Sequence, residues 1–158
     1  MQTLVLLRHG KSSYPDGVDD HERPLNERGQ REAPVAGRMI ATSLPSDATL
    51  DEVLVSSATR AQQTWERVSA AVPVGVVRTV PELYLASRSE LLGVVNDLRG
   101  SEVVMIVGHN EGLEELACWL AGTPVVLTTS TYAVLTSGHP WDQWTERCAD
   151  LVEVVAGR

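Results

Sequence analysis

Two runs in this chain are apolar at every position, Leu4-Val5-Leu6-Leu7 and Val103-Val104-Met105-Ile106-Val107. They limit the fold more than any other feature. A strand with one face in water alternates apolar and polar residues, whereas a strand apolar throughout must be covered on both faces, as in a parallel sheet with helices above and below. Both runs are far shorter than the ~20 residues needed to cross a bilayer.

The rest of the chain supplies matching elements. Thr3–Leu7 reads as the first strand. Asn26 is a suitable N-cap for a helix to Ser43, with Val35, Met39 and Ile40 on its apolar face and Pro34 expected to kink or break it. Glu52–Val55 reads as a strand, followed by a helix over Ala58–Val72 with Ser57 as its cap and Pro73 as its stop. Val74–Val77 is a third short strand. Ser87 with Glu90 forms a capping box, opening a helix to about Leu98 that Gly100 ends. Val103–Val107 and a helix from about Glu111 to Leu120 follow. Tyr132–Thr136 and Leu151–Val155 are late strands, with a short helix or ordered loop over Trp141–Cys148. Strands alternating with helices predict an α/β fold, a three-layer sandwich with a mostly parallel central sheet flanked by helices. At 158 residues, without repeats or a linker-like tract, the chain is expected to form one domain spanning residues 1–158.

Charge narrows the function. The net charge is −8, which disfavours non-specific binding to nucleic acid or an anionic membrane. Any site for a phosphorylated ligand must then be a local concentration of cations, which directs attention to the arginines. No secretory leader is legible at the N-terminus, so the cytoplasm is the expected location. Cys118 and Cys148 have no metal-ligand spacing and read as small buried hydrophobes.

In open parallel sheets, ligands sit outside the carboxyl ends of the strands. The first strand leads into Arg8-His9-Gly10-Lys11, the second into Ser56-Ser57-Ala58-Thr59-Arg60, and the strand at 103–107 into Gly108-His109-Asn110. Two histidines and two arginines therefore converge on one rim. Glycine beside each histidine permits close approach of a ligand to the backbone, and the arginine fork matches phosphate oxygens two at a time. A further arginine, Arg23, lies ahead of Pro24, and on spacing alone it reads as a solvated surface residue. So does the acidic group Asp19, Asp20 and Glu22.

Four blocks in order, Arg8-His9-Gly10-Lys11, Arg23-Pro24-Leu25-Asn26-Glu27-Arg28-Gly29, Ser56 through Thr64, and Val107-Gly108-His109-Asn110, resemble the histidine phosphatase (phosphoglycerate-mutase-like) superfamily. More narrowly, they resemble its small bacterial phosphohistidine phosphatases. The resemblance implies that His9 is a nucleophile that becomes transiently phosphorylated. It implies that Arg8, Arg23, Arg60 and His109 surround the phosphoryl oxygens. Backbone N–H groups or the hydroxyl of Ser12 or Ser13 could add donors beside them. No metal or other cofactor is expected, since these cations already supply what a divalent metal would and no carboxylate cluster is placed to bind one. A carboxylic acid is common in larger members, and Glu82 sits where it would be expected, although the small members often do without one. The expected substrate is a phosphorylated protein such as a phosphotransfer domain. A small phosphate ester, or a non-catalytic phosphate-binding role, are the alternatives.

Overall fold

A computed structural model describes residues 1–45 and 48–158. Six strands form one sheet: β1 (Gln2–Arg8), β2 (Leu50–Ser56), β3 (Val74–Val80), β4 (Val103–Gly108), β5 (Thr131–Ser137) and β6 (Asp150–Ala156), in the spatial order β3-β2-β4-β1-β5-β6. The pairs β1–β4, β2–β4 and β2–β3 are parallel, while β5 is antiparallel to both β1 and β6. Only β5 therefore runs against the common direction, in agreement with the mostly parallel sheet expected from sequence.

The period of two along β1 divides the core. Leu4 and Leu6 point to the face covered by α3 (Arg88–Asn96) and α4 (Gly112–Ala121), where they join Leu91, Val95, Leu113 and Leu116. Val5 and Leu7 point to the opposite face, against Ala33, Ala36 and Ile40 of α1 (Glu27–Ser43) and Ala61, Trp65 and Val68 of α2 (Thr59–Val68). Leu4 to Leu7 and Val104 to Val107 are all fully buried. Burying apolar surface on both sides at roughly 25 cal/mol per Å² is what makes these central strands the firmest part of the sheet.

Several local expectations change. Helix α1 runs unbroken through Pro34, and its buried face is Ala33, Ala36, Gly37 and Ile40, with Val35 and Met39 only half-buried. Packing of that small-residue face outweighs the hydrogen bond to the Gln30 carbonyl that proline cannot make. Ser57 does not cap α2. Ala58 holds the N-cap position without a side-chain bond, and the Ser57 hydroxyl instead lies 2.8 Å from His21 Nε2. Strand β3 is three residues longer than expected, because an edge strand paired only with β2 tolerates the polar Arg78 and Thr79 on its exposed surface. The capping box at Ser87 and Glu90 is present, and Asn26 caps α1 by accepting from the Gly29 amide. Residues 141–148 form a single 3-10 turn, Trp141–Gln143, and then irregular chain. Cys118 and Cys148 are unbridged and half-buried. Among the described residues, no helix is long and apolar enough to cross a membrane.

Candidate active site

Because β1, β4 and β2 are neighbours, their carboxyl ends bring Arg8, Gly108 and Ser56 side by side, with Arg8 paired to Gly108 in register. His9 and His109 follow immediately, and their ring centroids lie 5.0 Å apart. Around them is a cavity of about 290 Å³ whose lining includes Arg8, His9, Ser12, Arg23, Arg60 and His109. Six of the seven residues singled out from sequence thus meet in one place.

His9 is 7% exposed and held at three points. Its amide donates to the Gly108 carbonyl at 3.1 Å. Its Nδ1 lies 2.7 Å from the Gly10 carbonyl oxygen. A carbonyl only accepts, so Nδ1 carries the proton and Nε2 keeps its lone pair. That lone pair faces Arg60, whose Nε donates to it at 3.3 Å. Burial, with the charges of Arg60, Arg8 and Arg23, lowers the His9 pKa to about 4, so the ring is neutral near pH 7. Gly10 is closely packed: a Cβ there would lie 3.1 Å from Ser130 Oγ and 3.2 Å from the Gly29 backbone, so its neighbours would have to shift by a few tenths of an ångström. At Gly108 a Cβ would meet only Leu113 at ordinary contact distance. The tight position after β4 is Gly112, the first residue of α4, where a Cβ would collide with the Ala86 carbonyl oxygen.

His109 is held differently. Its Nε2 shares a 2.7 Å hydrogen bond with Ser56 Oγ, and its buried Nδ1 has no protein partner. Burial, then His9 and Arg60, lower its pKa to about 3. In the free protein it is therefore neutral, and a phosphate dianion beside it would favour the charged form. Arg8 donates through Nη1 to the Leu127 carbonyl at 3.0 Å, and its buried Nε likewise lacks a protein partner.

The loop between β1 and α1 brings in Arg23. Its base is closed by the Asn26 amide donating to the Lys11 carbonyl at 2.9 Å and by bridge pairing of Ser12 with Leu25. Arg23 is buried rather than solvated. It donates through Nη1 to Ser12 Oγ at 2.6 Å and to the Ser13 carbonyl at 3.0 Å, and its guanidinium stacks 3.9 Å over the Tyr14 ring. Ser12 thus orients Arg23 and keeps a hydroxyl proton to donate, while Ser13 donates weakly to the Pro24 carbonyl at 3.4 Å.

Asp20 departs most from the sequence reading. It lines the cavity instead of belonging to a solvated acidic cluster. Oδ1 accepts from Arg23 Nε at 3.0 Å, Oδ2 accepts from Arg60 Nη2 at 3.1 Å and from the Tyr84 hydroxyl, and its backbone carbonyl accepts from Arg60 Nη1 at 2.7 Å. Tyr84, then Arg23 and Arg60, hold this carboxyl well below the usual carboxylate range. One residue therefore fixes both arginine forks, leaving Arg60 Nε toward His9. The spacing Asp20-x-x-Arg23 is the one hint of this in the sequence; Ser56 opens a motif block without announcing its bond to His109, and Tyr84 carries no signal.

Glu82 is not brought to the site. It is exposed in the 3-10 turn Pro81–Leu83, which buries only Leu83, and it lines a separate cavity with Arg78, Val80, Val94 and Asp97. Anchoring Leu83 in the core turns the preceding side chain outward and brings Tyr84 and Leu85 to the rim near His9.

Comparisons with known proteins bear on the family and the fold. A family model of the histidine phosphatase superfamily (branch 1) matches residues 4–86. An uncharacterized protein of Mycobacterium tuberculosis, Rv1276c, is 37% identical over 159 residues, covering 92% of this chain and 96% of its own length. The structure of a candidate phosphohistidine phosphatase SixA from Nakamurella multipartitia superposes with a TM-score of 0.84 at 27% identity, over 98% of this chain and 95% of that one. A protein histidine phosphatase SixA complexed with tungstate shares the fold with a TM-score of 0.78 at 22% identity, over 99% and 97% of the two chains. The chain belongs to the histidine phosphatase superfamily, and its enzyme class is phosphatase.

Proposed function

We propose that this phosphatase removes the phosphoryl group from protein phosphohistidine through a phosphohistidine intermediate on His9. The His9 Nε2 lone pair attacks phosphorus, an N–P bond forms, and the bond from phosphorus to the donor's imidazole nitrogen breaks. Water then attacks phosphorus, breaks the His9 N–P bond and releases inorganic phosphate. Charge in a loose phosphoryl transition state spreads over the three equatorial oxygens. Arg8, Arg23, Arg60 and His109 are the groups assigned to those oxygens, with Ser12 as a further donor. The unpartnered Arg8 Nε and His109 Nδ1 are donors of the kind such oxygens would satisfy.

The observation that carries the substrate class is the state of Asp20. It is the one carboxylate in the cavity lining among the described residues, and Tyr84 and two arginines hold it ionised. It has no proton to give an alkoxide leaving group. A phosphohistidine imidazole takes its proton from solvent near neutral pH and departs as neutral imidazole, so it needs no such acid. The position of Glu82 in another cavity favours the same reading.

The test compares kcat/KM on a purified phosphohistidine protein with kcat/KM on a panel of phosphate esters. A higher value on the phosphohistidine protein supports the reading. A strong preference for one ester overturns it and favours a phosphomonoesterase. Absence of any acid-labile, base-stable label on His9 after quenching rejects the nucleophile assignment.

A further inference from the structure

We propose that Leu85 is a specificity-determining residue, contacting the part of a polypeptide donor that surrounds the phosphorylated side chain. The inference rests on the phosphohistidine reading above. Three observations meet at this residue. Its backbone lies in the left-handed region, with φ 52, which leucine rarely adopts and glycine or asparagine adopts readily. Its apolar side chain is 55% exposed. It lines the cavity that holds His9. Strained backbone and exposed apolar surface are both unfavourable, and their coincidence at a functional cavity is the pattern expected where a side chain is kept for a ligand.

Leu85 is also held rigidly. The Tyr84 amide donates to the Pro81 carbonyl at 3.1 Å and the Ala86 amide to the Leu83 carbonyl at 3.2 Å. The Tyr84 hydroxyl is bound to Asp20 on one side, and Gly112 of α4 packs against the Ala86 carbonyl on the other. The backbone that carries the side chain is therefore anchored on both sides, so little backbone ordering is required when a donor binds. Tyr14, 75% exposed and stacked on Arg23, adds a second apolar surface to the same cavity. Between them the phosphoryl group meets cations while the donor's flanking atoms meet apolar side chains. A donor with apolar side chains around its phosphohistidine fits both requirements.

The experiment measures kcat/KM for wild type, L85G, L85N and L85M on a phosphohistidine protein and on phosphoramidate, a donor with the same P–N bond and no flanking atoms. L85G and L85N are expected to lower the ratio of protein to phosphoramidate turnover about 10-fold, mostly through KM, the size expected for losing one apolar contact. L85M should keep the ratio within about threefold of wild type. Melting temperature should not fall in L85G, because glycine relieves the backbone conformation. Equal losses on both donors, or an unchanged ratio, overturn the inference. If wild type hydrolyses neither P–N donor yet cleaves esters, the parent reading fails. The same ratio is then taken between naphthyl phosphate and methyl phosphate, where an unchanged value in L85G overturns the role of Leu85 as well.

Discussion

The ends of β1 and β4 are adjacent, parallel and in register, and each presents a histidine after its last residues, yet the two rings are prepared for different work. At the end of β1, His9 has its proton fixed on Nδ1 by the Gly10 carbonyl and its Nε2 lone pair held against Arg60. At the end of β4, His109 is bound through Nε2 to a hydroxyl that both donates and accepts, and its Nδ1 is unpartnered. A carbonyl permits one tautomer, whereas a serine permits either. The first ring keeps its lone pair on Nε2, as the proposed nucleophile must. The second is free to donate, and to gain a proton when an anion arrives.

Replacing His9 with alanine should break that contrast most completely. Turnover is expected to fall at least ~1000-fold with loss of the acid-labile label, as for nucleophiles in general. His109→Asn should cost about 100-fold in kcat while His9 still labels, the size typical of losing one donor to a developing charge. Labelling and turnover lost together in His109→Asn would mean that the two rings do one job. Asp20→Ala frees both arginine forks and should raise KM for the phosphoryl donor about 10-fold, since positioned charges lose their geometry when their support is removed. A lower KM would instead make Asp20 a competitor for the arginines. Glu82→Gln should leave kcat/KM within about twofold, as expected for an exposed residue outside the site. EDTA should leave turnover intact.

Acid titration sharpens the comparison further. Both imidazoles have folded pKa values below the ordinary 6.5, at about 4 for His9 and about 3 for His109. Between those values and 6.5 the unfolded chain binds more protons than the folded one. Their contribution to stability is therefore complete above pH 6.5 and is lost as pH falls toward 4 and then 3. Melting temperature measured from pH 7 to pH 4 should decline, and less steeply in the His109→Asn protein. In wild type, vanadate should raise the His109 pKa, read from its ring NMR shifts. A pKa that stays unchanged with the anion bound would remove His109 from the phosphoryl group.

The amino-acid order alone determined the sheet's centre and the chemistry attached to it. Runs apolar at every position can be strands only if covered on both faces. That requirement places Arg8, His9, Arg60 and His109 at neighbouring carboxyl ends, where residue type and sequence neighbours suffice to locate them. The second motif block brought in Arg23, and Ser12 follows the first block by one residue; both line the cavity. What surrounds them was decided only by tertiary structure. Asp20 and Tyr84 are 64 positions apart and meet through the folding of two loops, so no spacing announces their bond. Glu82 occupies the expected place in the chain, but burial of Leu83 turns it away from the site. The same constraint sets Tyr84 against the His109 ring and Leu85 in the wall of the His9 cavity. Strand ends inherit their positions from a pattern in the sequence, and loop residues inherit theirs from whichever neighbour the core must bury.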